Sequence, residues 1–552
     1  MMSSWLPPLL AFCLPVLPLL VAAGLFLAST RSLALRTAPW LPLLALPLVL
    51  LHDQLVELPW LLLGARVGVD NTALPLLLLA IAAWTVAGLH ASDTIEREQQ
   101  PRFYLFWLLT WTGNLCVFIT LDAASFYAAY AMMSVSAYGL VIFFGRMADY
   151  RAGRVYLVMA LLGEAMILSG LILLAGQLGN APLDALAAEY AGLNHGTLIS
   201  WLFLAGFAVK MGLIPLHMWL PLAHPQAPVP ASAVLSGVIL KAGLIGWLRF
   251  LPLGSEGIDL ETAGLMLLAA GLFTGLVAAL IGMSQHKAKV ILAYSSISQM
   301  GLVASLVGMA LYSPENAPLL ISIAVLFALH HGLSKTLLFL GVDHAGHRWI
   351  GKLLWLPSLS LAGAPLLSGA LAKILMKSEI PESLTWLEPI LLISSLLTTL
   401  LLMRFLHQLA GQHQTADNQW SRPVVAWMIL LLLSLGLPWI IAITDNAMES
   451  GIAVKPGYLL ETGLPVLLGL FLAALTWRYW PANRHPRIPA GDLIELFRLP
   501  TLRQPSWSLP GRPAMPTLLP VTLRQLDARL AAMGPALLVW LVFLALLGLL
   551  AI

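Results

Sequence analysis

Apolar residues run along this chain in long blocks separated by short polar loops. Most blocks approach the roughly 20 residues that a helix needs to cross a bilayer core of about 30 Å. They fall near 5–28, 37–52, 72–92, 102–121, 123–145, 154–176, 198–221, 230–251, 260–283, 288–311, 317–342, 354–377, 385–408, 423–444, 458–479 and 533–552. The pattern predicts an all-α polytopic protein of about sixteen spans. The second block is short and interrupted by prolines, so it carries the weakest signal.

Polar residues break the pattern inside the blocks. Glu164, Lys210, Lys241, His330, His331, Lys335 and Lys373 all fall at mid-span. An ionisable side chain at that depth costs at least about 2.5–3.5 kcal/mol on insertion scales and so marks candidate function. A single lysine can snorkel to the interface, but Lys210 and Lys241 stand near the middle of their blocks. Either histidine alone can be an ordinary core residue. His331 and Lys335, spaced i, i+4, share one helical face. Two bases on one buried face repel unless one is neutral or water reaches them, which favours a hydrated path. Acids and bases in successive helices read as a proton relay.

Two blocks are interrupted beside such a lysine. The seventh has Lys210, Gly212 and Pro215, and the twelfth has Gly363, Pro365, Gly369 and Lys373. A proline frees a backbone carbonyl, which is tolerated at depth only against protein or water. Two matched breaks suggest an internal repeat with a discontinuous helix in each half, near 102–251 and 260–408. The organisation expected is 1–92 for the first three spans, 93–252 and 253–412 for the repeats, 413–480 for two further spans, and 481–552 for a tail with the last span.

Loop charge alternates. Arg31, Arg36, Arg146, Arg151, Arg154, Lys287, Lys289, Arg348 and Lys352 mark one set, which ends in the arginines from Arg478 to Arg512. Asp53, Glu57, Asp70, Asp184, Glu189, Glu256, Asp259, Glu261, Asp445 and Glu449 mark the other. The positive-inside rule puts the basic set in the cytoplasm and both termini outside, in what reads as a bacterial inner membrane. The mildly acidic loop 93–102 departs from the pattern. Residues 481–531 are rich in Pro and Arg, and their prolines exclude one long helix. They read as an amphipathic segment lying on the cytoplasmic face.

Composition narrows the function. The chain has 552 residues, 59% hydrophobic and 10% charged, with net charge +3 and mean hydropathy +0.88. Soluble domains hold about 25% charged residues, so a soluble enzyme and a nucleic-acid partner are excluded. Cys13 and Cys116 stand alone in apolar runs and match no zinc or iron–sulfur spacing. Neither a GxGxxG nor a GxxxxGK[ST] motif is present. No cofactor, metal or catalytic redox site is expected in this chain, so electron transfer would belong to partner subunits. The apolar N-terminal run lacks a basic lead and is followed by another span, unlike a signal peptide.

Three stretches resemble a known family. The first is Phe207-Ala208-Val209-Lys210 through Pro215-Leu216-His217-Met218-Trp219-Leu220-Pro221, then Ala223-His224-Pro225, Pro228-Val229-Pro230 and Ser232-Ala233. The second is Leu292-Ala293-Tyr294-Ser295-Ser296-Ile297-Ser298-Gln299-Met300-Gly301. The third is His331-Gly332-Leu333-Ser334-Lys335-Thr336 with Leu337-Leu338-Phe339-Leu340. Together they resemble the antiporter-like proton-channel subunits of respiratory complex I, group 4 membrane-bound hydrogenases and Mrp antiporters, over roughly residues 70–410.

The resemblance implies fourteen core helices with two inverted five-helix repeats, each holding a broken helix, and a central polar axis for protons. It implies relay roles for Lys210, Lys241, His331, Lys335 and Lys373, with protons, or sodium as the alternative ion, as cargo. Other membrane subunits are the implied partners. The sequence departs from the family in one respect that matters. The family's fifth-helix glutamate falls at Ala131, in Phe126-Tyr127-Ala128-Ala129-Tyr130-Ala131. Glu164 on the next span would lie roughly 6 Å away in depth, from the 1.5 Å rise per residue, and is the candidate replacement. In addition, Lys287-Ala288-Lys289-Val290 lacks the family's aspartate before its basic pair. Leu235 through Gly243, with Lys241, looks closest to the hydrogenase and Mrp branches. Two rival readings are a membrane subunit energising a cytoplasmic zinc protein that traps inorganic carbon, and an anchor with an inactive channel.

Overall fold

The computed structural model describes residues 6–180, 182–183, 186–255, 258–411, 419–444, 456–479 and 488–489. The expected amphipathic segment 481–531, apart from two residues, and the expected last span 533–552 lie outside the described residues. So do the acidic loop residues Asp184, Glu256, Asp445 and Glu449.

The first half runs α1 (Leu6–Gly24), α2 (Arg31–Thr37), α3 (Ala73–Thr94), α4 (Gln100–Ile119), α5 (Ala123–Val141), α6 (Met147–Leu178), α7 (Leu186–Glu189), α8 (Gly196–Met211), α9 (Trp219–Gln226), α10 (Val229–Val234) and α11 (Lys241–Phe250). The second half runs α12 (Glu261–Met283), α13 (Ala288–Tyr312), α14 (Ala317–Asp343), α15 (Arg348–Leu353), α16 (Trp355–Ala362), α17 (Ser368–Ser378), α18 (Leu387–Ala410), α19 (Arg422–Thr444) and α20 (Pro456–Tyr479). Twelve helices among the described residues are long and apolar enough to cross a membrane. The protein is thus polytopic and helical, as its hydrophobic pattern predicts.

Local chemistry modifies four of the expected spans. The second is a short helix that tightens into a 3-10 run, Ala38–Leu51, where Pro39, Pro42 and Pro47 have no N–H to give an α-helical ladder. The sixth starts earlier than expected and extends over 32 residues. The eighth, expected as one regular helix, is interrupted by a π-helical stretch, Leu235–Ile239, immediately before Lys241. The twelfth block resolves into α16 and α17. One short antiparallel pair, β1 (Val56–Leu58) with β2 (Ala65–Val67), lies in a loop before α3 of the otherwise helical fold.

Small residues bring the central helices together. A Cβ at Gly301 of α13 would press on the Gly271 carbonyl of α12, and one at Gly308 would meet the backbone of Leu268. This is the close backbone approach by which membrane helices gain packing energy when burial of apolar surface adds little. The result is a sheath in which α13 is wholly enclosed and α14 largely so. Outer helices such as α1 keep most of their apolar surface exposed, as lipid-facing helices do.

A buried arginine fastens the end of this sheath. Arg249, on the last turn of α11, donates to the carbonyls of Val117 at 2.8 Å, Phe118 at 2.6 Å and Thr120 at 2.6 Å. It also meets Asp70 Oδ2 at 3.1 Å. It thereby satisfies the orphan carbonyls at the C-terminus of α4. Removing the guanidinium leaves these carbonyls without their donor, at about 1–3 kcal/mol for each group left unsatisfied. Arg249→Ala is expected to lower the thermal midpoint of the solubilised protein by several degrees, measured by loss of a monodisperse gel-filtration peak after heating. An unchanged midpoint would show that the clamp contributes nothing to stability.

Candidate functional site

Both expected helix breaks are present. The first lies between α8 and α9, with Gly212 at φ +74°, a left-handed conformation that glycine adopts without a Cβ penalty. Pro215 stands within the gap. The second lies between α16 and α17, with Gly363 at φ +91°, Pro365 in the gap and Leu366 at φ +65°. Each break frees helix-terminal carbonyls that need donors at membrane depth. At the first, Trp219 Nε1 donates to Val209 O at 2.9 Å. At the second, Lys373 Nζ donates to Ala362 O at 2.8 Å.

Lys210 occupies the last turn of α8 and is buried. Its Nζ donates to Ser134 Oγ of α5 at 2.6 Å, and the Ser134 side chain also lies beside the Glu164 carboxyl of α6. Glu164 is buried, and its Oε1 has no partner among the described residues. Tyr130 and Tyr156 flank the lysine, their ring centroids 5.2 and 5.8 Å from Nζ, within cation–π range. Tyr156 is itself held by a 2.8 Å hydrogen bond to Ser134 O. The acid expected to replace the family's glutamate is therefore beside Lys210, one serine removed.

The next cluster centres on α14. Lys241 Nζ lies 2.8 Å from His331 Nδ1 and donates to Ser236 O at 2.9 Å. Ser236 belongs to the π-helical stretch, a deviation that often marks functional positions because it re-aims backbone groups. His331 is within electrostatic reach of Lys335 and His330 as well as Lys241. Lys335 Nζ donates to Leu292 O at 3.0 Å. All four residues are buried. Lys241 on α11 and Lys210 on α8 sit on helices that pack against each other.

A serine pair carries the chain of polar groups onward. His330 Nδ1 lies 2.8 Å from Ser368 Oγ, which is 3.1 Å from Ser360 Oγ across the second break. Lys373, half-buried, is within electrostatic reach of His330 and bonds Ser395 Oγ at 3.0 Å. The seven expected site residues thus fall in three groups: Glu164 with Lys210; Lys241 with His330, His331 and Lys335; and Lys373, within electrostatic reach of His330.

Sequence reasoning missed the connecting groups. Ser134 lies three residues after Ala131 on α5, so the vacant acid position and the bridging serine share a face. His224 was visible inside the family-like stretch but not singled out. It is fully buried and stacked on Phe339 at 4.7 Å, with neither ring nitrogen partnered among the described residues. It lies within electrostatic reach of Lys289 and Lys335. Among the described residues no group of His, Cys, Asp or Glu is arranged to hold a metal ion.

Comparison with known proteins agrees with the motifs. Residues 120–354 match the family described as NADH:quinone oxidoreductase/Mrp antiporter, transmembrane. "Hydrogenase-4 component B" of Escherichia coli (strain K12) is 32% identical over 246 residues, covering 43% of this chain and 36% of that protein. A protein of Staphylococcus haemolyticus (strain JCSC1435) named for antiporter subunit mnhA2 is 30% identical over 406 residues, covering 65% and 50%. The matches thus span about a third to a half of the length of these relatives. A subunit in the structure of the membrane-bound sulfane sulfur reductase, an archaeal respiratory membrane complex, superposes with TM-score 0.68 at 20% identity. The superposition covers 86% of each chain and speaks for the fold. This chain is a polytopic integral membrane protein whose residues 120–354 match the family described as NADH:quinone oxidoreductase/Mrp antiporter, transmembrane.

Proposed function

We propose that this chain moves protons across the membrane as one subunit of a multisubunit assembly of complex I-like, hydrogenase-like or Mrp-like kind, with sodium as the alternative or counter-transported ion. The observation that carries the reading is a set of buried bases with one buried acid, several of them hydrogen-bonded to serine hydroxyls, lying between two broken helices. A path of alternating bases and hydroxyls is what proton transfer needs, since each step requires a donor and an acceptor within hydrogen-bond reach. Lys210 would exchange its proton with Glu164 through Ser134. Lys241, His331 and Lys335 would form the middle of the path, His330 and Ser368 would carry it across the second break, and Lys373 would end it. His224 would connect the half-buried Lys289 to Lys335. Burial favours a lysine's neutral form and an acid neighbour its charged form, so changes in those distances would drive proton steps. Residues 93–252 and 253–412 would be the two repeats, each with its own break.

The test is reconstitution of the purified assembly in vesicles carrying a lumenal pH dye. Proton movement driven by a sodium gradient, or by the assembly's electron donor, is the expected result. Absence of proton movement under both would overturn the reading. Co-purifying iron–sulfur and quinone-site subunits support the redox branch, whereas a single large zinc protein would point to inorganic-carbon trapping.

Loop charges put residues 481–531 in the cytoplasm and both termini outside, in an inner membrane. With Cys13 and Cys116 replaced, a single cysteine near Arg498 should react with a membrane-impermeant maleimide only after the membrane is opened. Labelling from outside intact cells would reverse the orientation.

A further inference from the structure

Past the second break lies a charged cluster that the path above does not use. Lys373 and Lys377 stand one turn apart on α17. Lys377 Nζ pairs with Glu388 Oε2 of α18 at 2.8 Å and with Glu461 of α20. These groups and Lys373 line one cavity of about 30 Å³, bounded also by Ser395 and Tyr458. That space suits a water or two, because Lys373, Lys377, Ser395 and Glu461 offer it polar partners in an otherwise largely apolar wall. The cluster is also partly exposed. The side chains of Lys377, Glu388 and Glu461 are 28%, 42% and 26% exposed. Lys373 thus opens toward the surface of the helical bundle through a cavity whose mouth holds two carboxylates, and such charges at a bundle surface call for water rather than lipid around them.

The charge count is informative. Two carboxylates share one ammonium at Lys377, so the ionised cluster carries one surplus negative charge. A surplus carboxylate beside a lysine favours the charged lysine, and its protonation leaves the cluster neutral. The titratable groups facing it are Lys373 and Lys377 on α17, Glu388 on α18, and Tyr458 and Glu461 on α20.

We propose that Glu388 and Glu461 are the terminal proton-exchange site of this path, with Lys377 holding both acids at the cavity mouth. In the release direction an N–H bond of the Lys373 ammonium breaks and its electron pair stays on Nζ. An O–H bond forms on one carboxylate through cavity water, and that proton then passes to solvent. Uptake is the reverse. Glu461 is supplied by α20, which lies C-terminal to the family module at 120–354, so the module's path ends on a residue from outside it. The proposal rests on Lys373 being a relay base.

The test uses the intact chain in its reconstituted assembly, with Lys373→Ala as the reference. Glu388→Gln and Glu461→Gln should each slow proton movement about two- to five-fold, because the other acid remains. The double variant should slow it at least about ten-fold and change the pH profile of the rate, as loss of a proton-exchanging group does. A double variant with the wild-type rate, while Lys373→Ala is inactive, overturns the exchange site and leaves the relay standing. A slow double variant with an unshifted pH profile also overturns it, since the acids would then act only as struts. An active Lys373→Ala removes the relay and this proposal together. Glu461→Ala, which leaves Glu388 to hold Lys377, supplies a second measurement. Its rate should recover with added formate, and failure to recover at any formate concentration counts against the proposal.

Discussion

Lys210→Ala or Lys373→Ala is expected to abolish proton movement while the chain still assembles with its partners. Each lysine stands at a helix break. Lys210 is the base that Ser134 links to Glu164. Lys373 alone bridges the Ala362 carbonyl and Ser395 at the terminal cavity. Removing a proton-transferring group typically costs about 10²- to 10⁴-fold in rate. Lys210→Arg sharpens the test. Arginine keeps the charge and can still reach Ser134, but it does not release its proton in proteins. A positional role for the charge would leave Lys210→Arg active, whereas a relay role makes it as inactive as Lys210→Ala. The measurement is vesicle acidification by the reconstituted assembly, with subunit content checked on the same preparation. Unchanged rates in both alanine variants would end the relay reading.

Glu164→Gln is expected to reduce transport about as severely, and adding Ala131→Glu should restore part of it. A buried lysine without a counter-charge is pushed toward its neutral form, and an acid within reach restores the charged one. Glu164 meets Lys210 through Ser134, so Ser134→Ala should reproduce much of the Glu164→Gln defect without altering either ionisable residue. Ala131 lies one turn from Ser134 on α5, so a glutamate there approaches the same lysine from the position that the family uses. The restoring variant separates a charge partner from a packing residue, because only the former can be replaced from a different helix. Normal transport by Glu164→Gln would mean that the partner of Lys210 comes from a neighbouring subunit.

The spans, the two breaks and the bases at depth were legible in the sequence because the bilayer makes local chemistry decisive. A backbone in hydrocarbon must close its own hydrogen bonds, so about 20 apolar residues read as a helix wherever they occur. A proline at depth reads as a break, and a lysine there stands out against its surroundings. That holds for Pro215 and Pro365 and for Lys210, Lys241, Lys335 and Lys373 alike. The family-like stretches then supplied the likeness that residues 120–354 bear out.

Which of these groups meet was decided by tertiary packing alone. Ser134 and Lys210 are 76 residues apart, Lys241 and His331 are 90, and Arg249 and Asp70 are 179. No local pattern encodes such pairs, because serines and tyrosines at depth are common and their partners lie on other helices. The π-helical stretch before Lys241 was equally hidden. Its residues read as ordinary helix, and what distinguishes it is the Ser236 carbonyl turned toward Lys241. Glu461 was hidden for a different reason. It sits near the start of an otherwise ordinary apolar span, and only the approach of α20 to α17 and α18 brings its carboxylate to Lys377 at the mouth of the cavity that reaches Lys373.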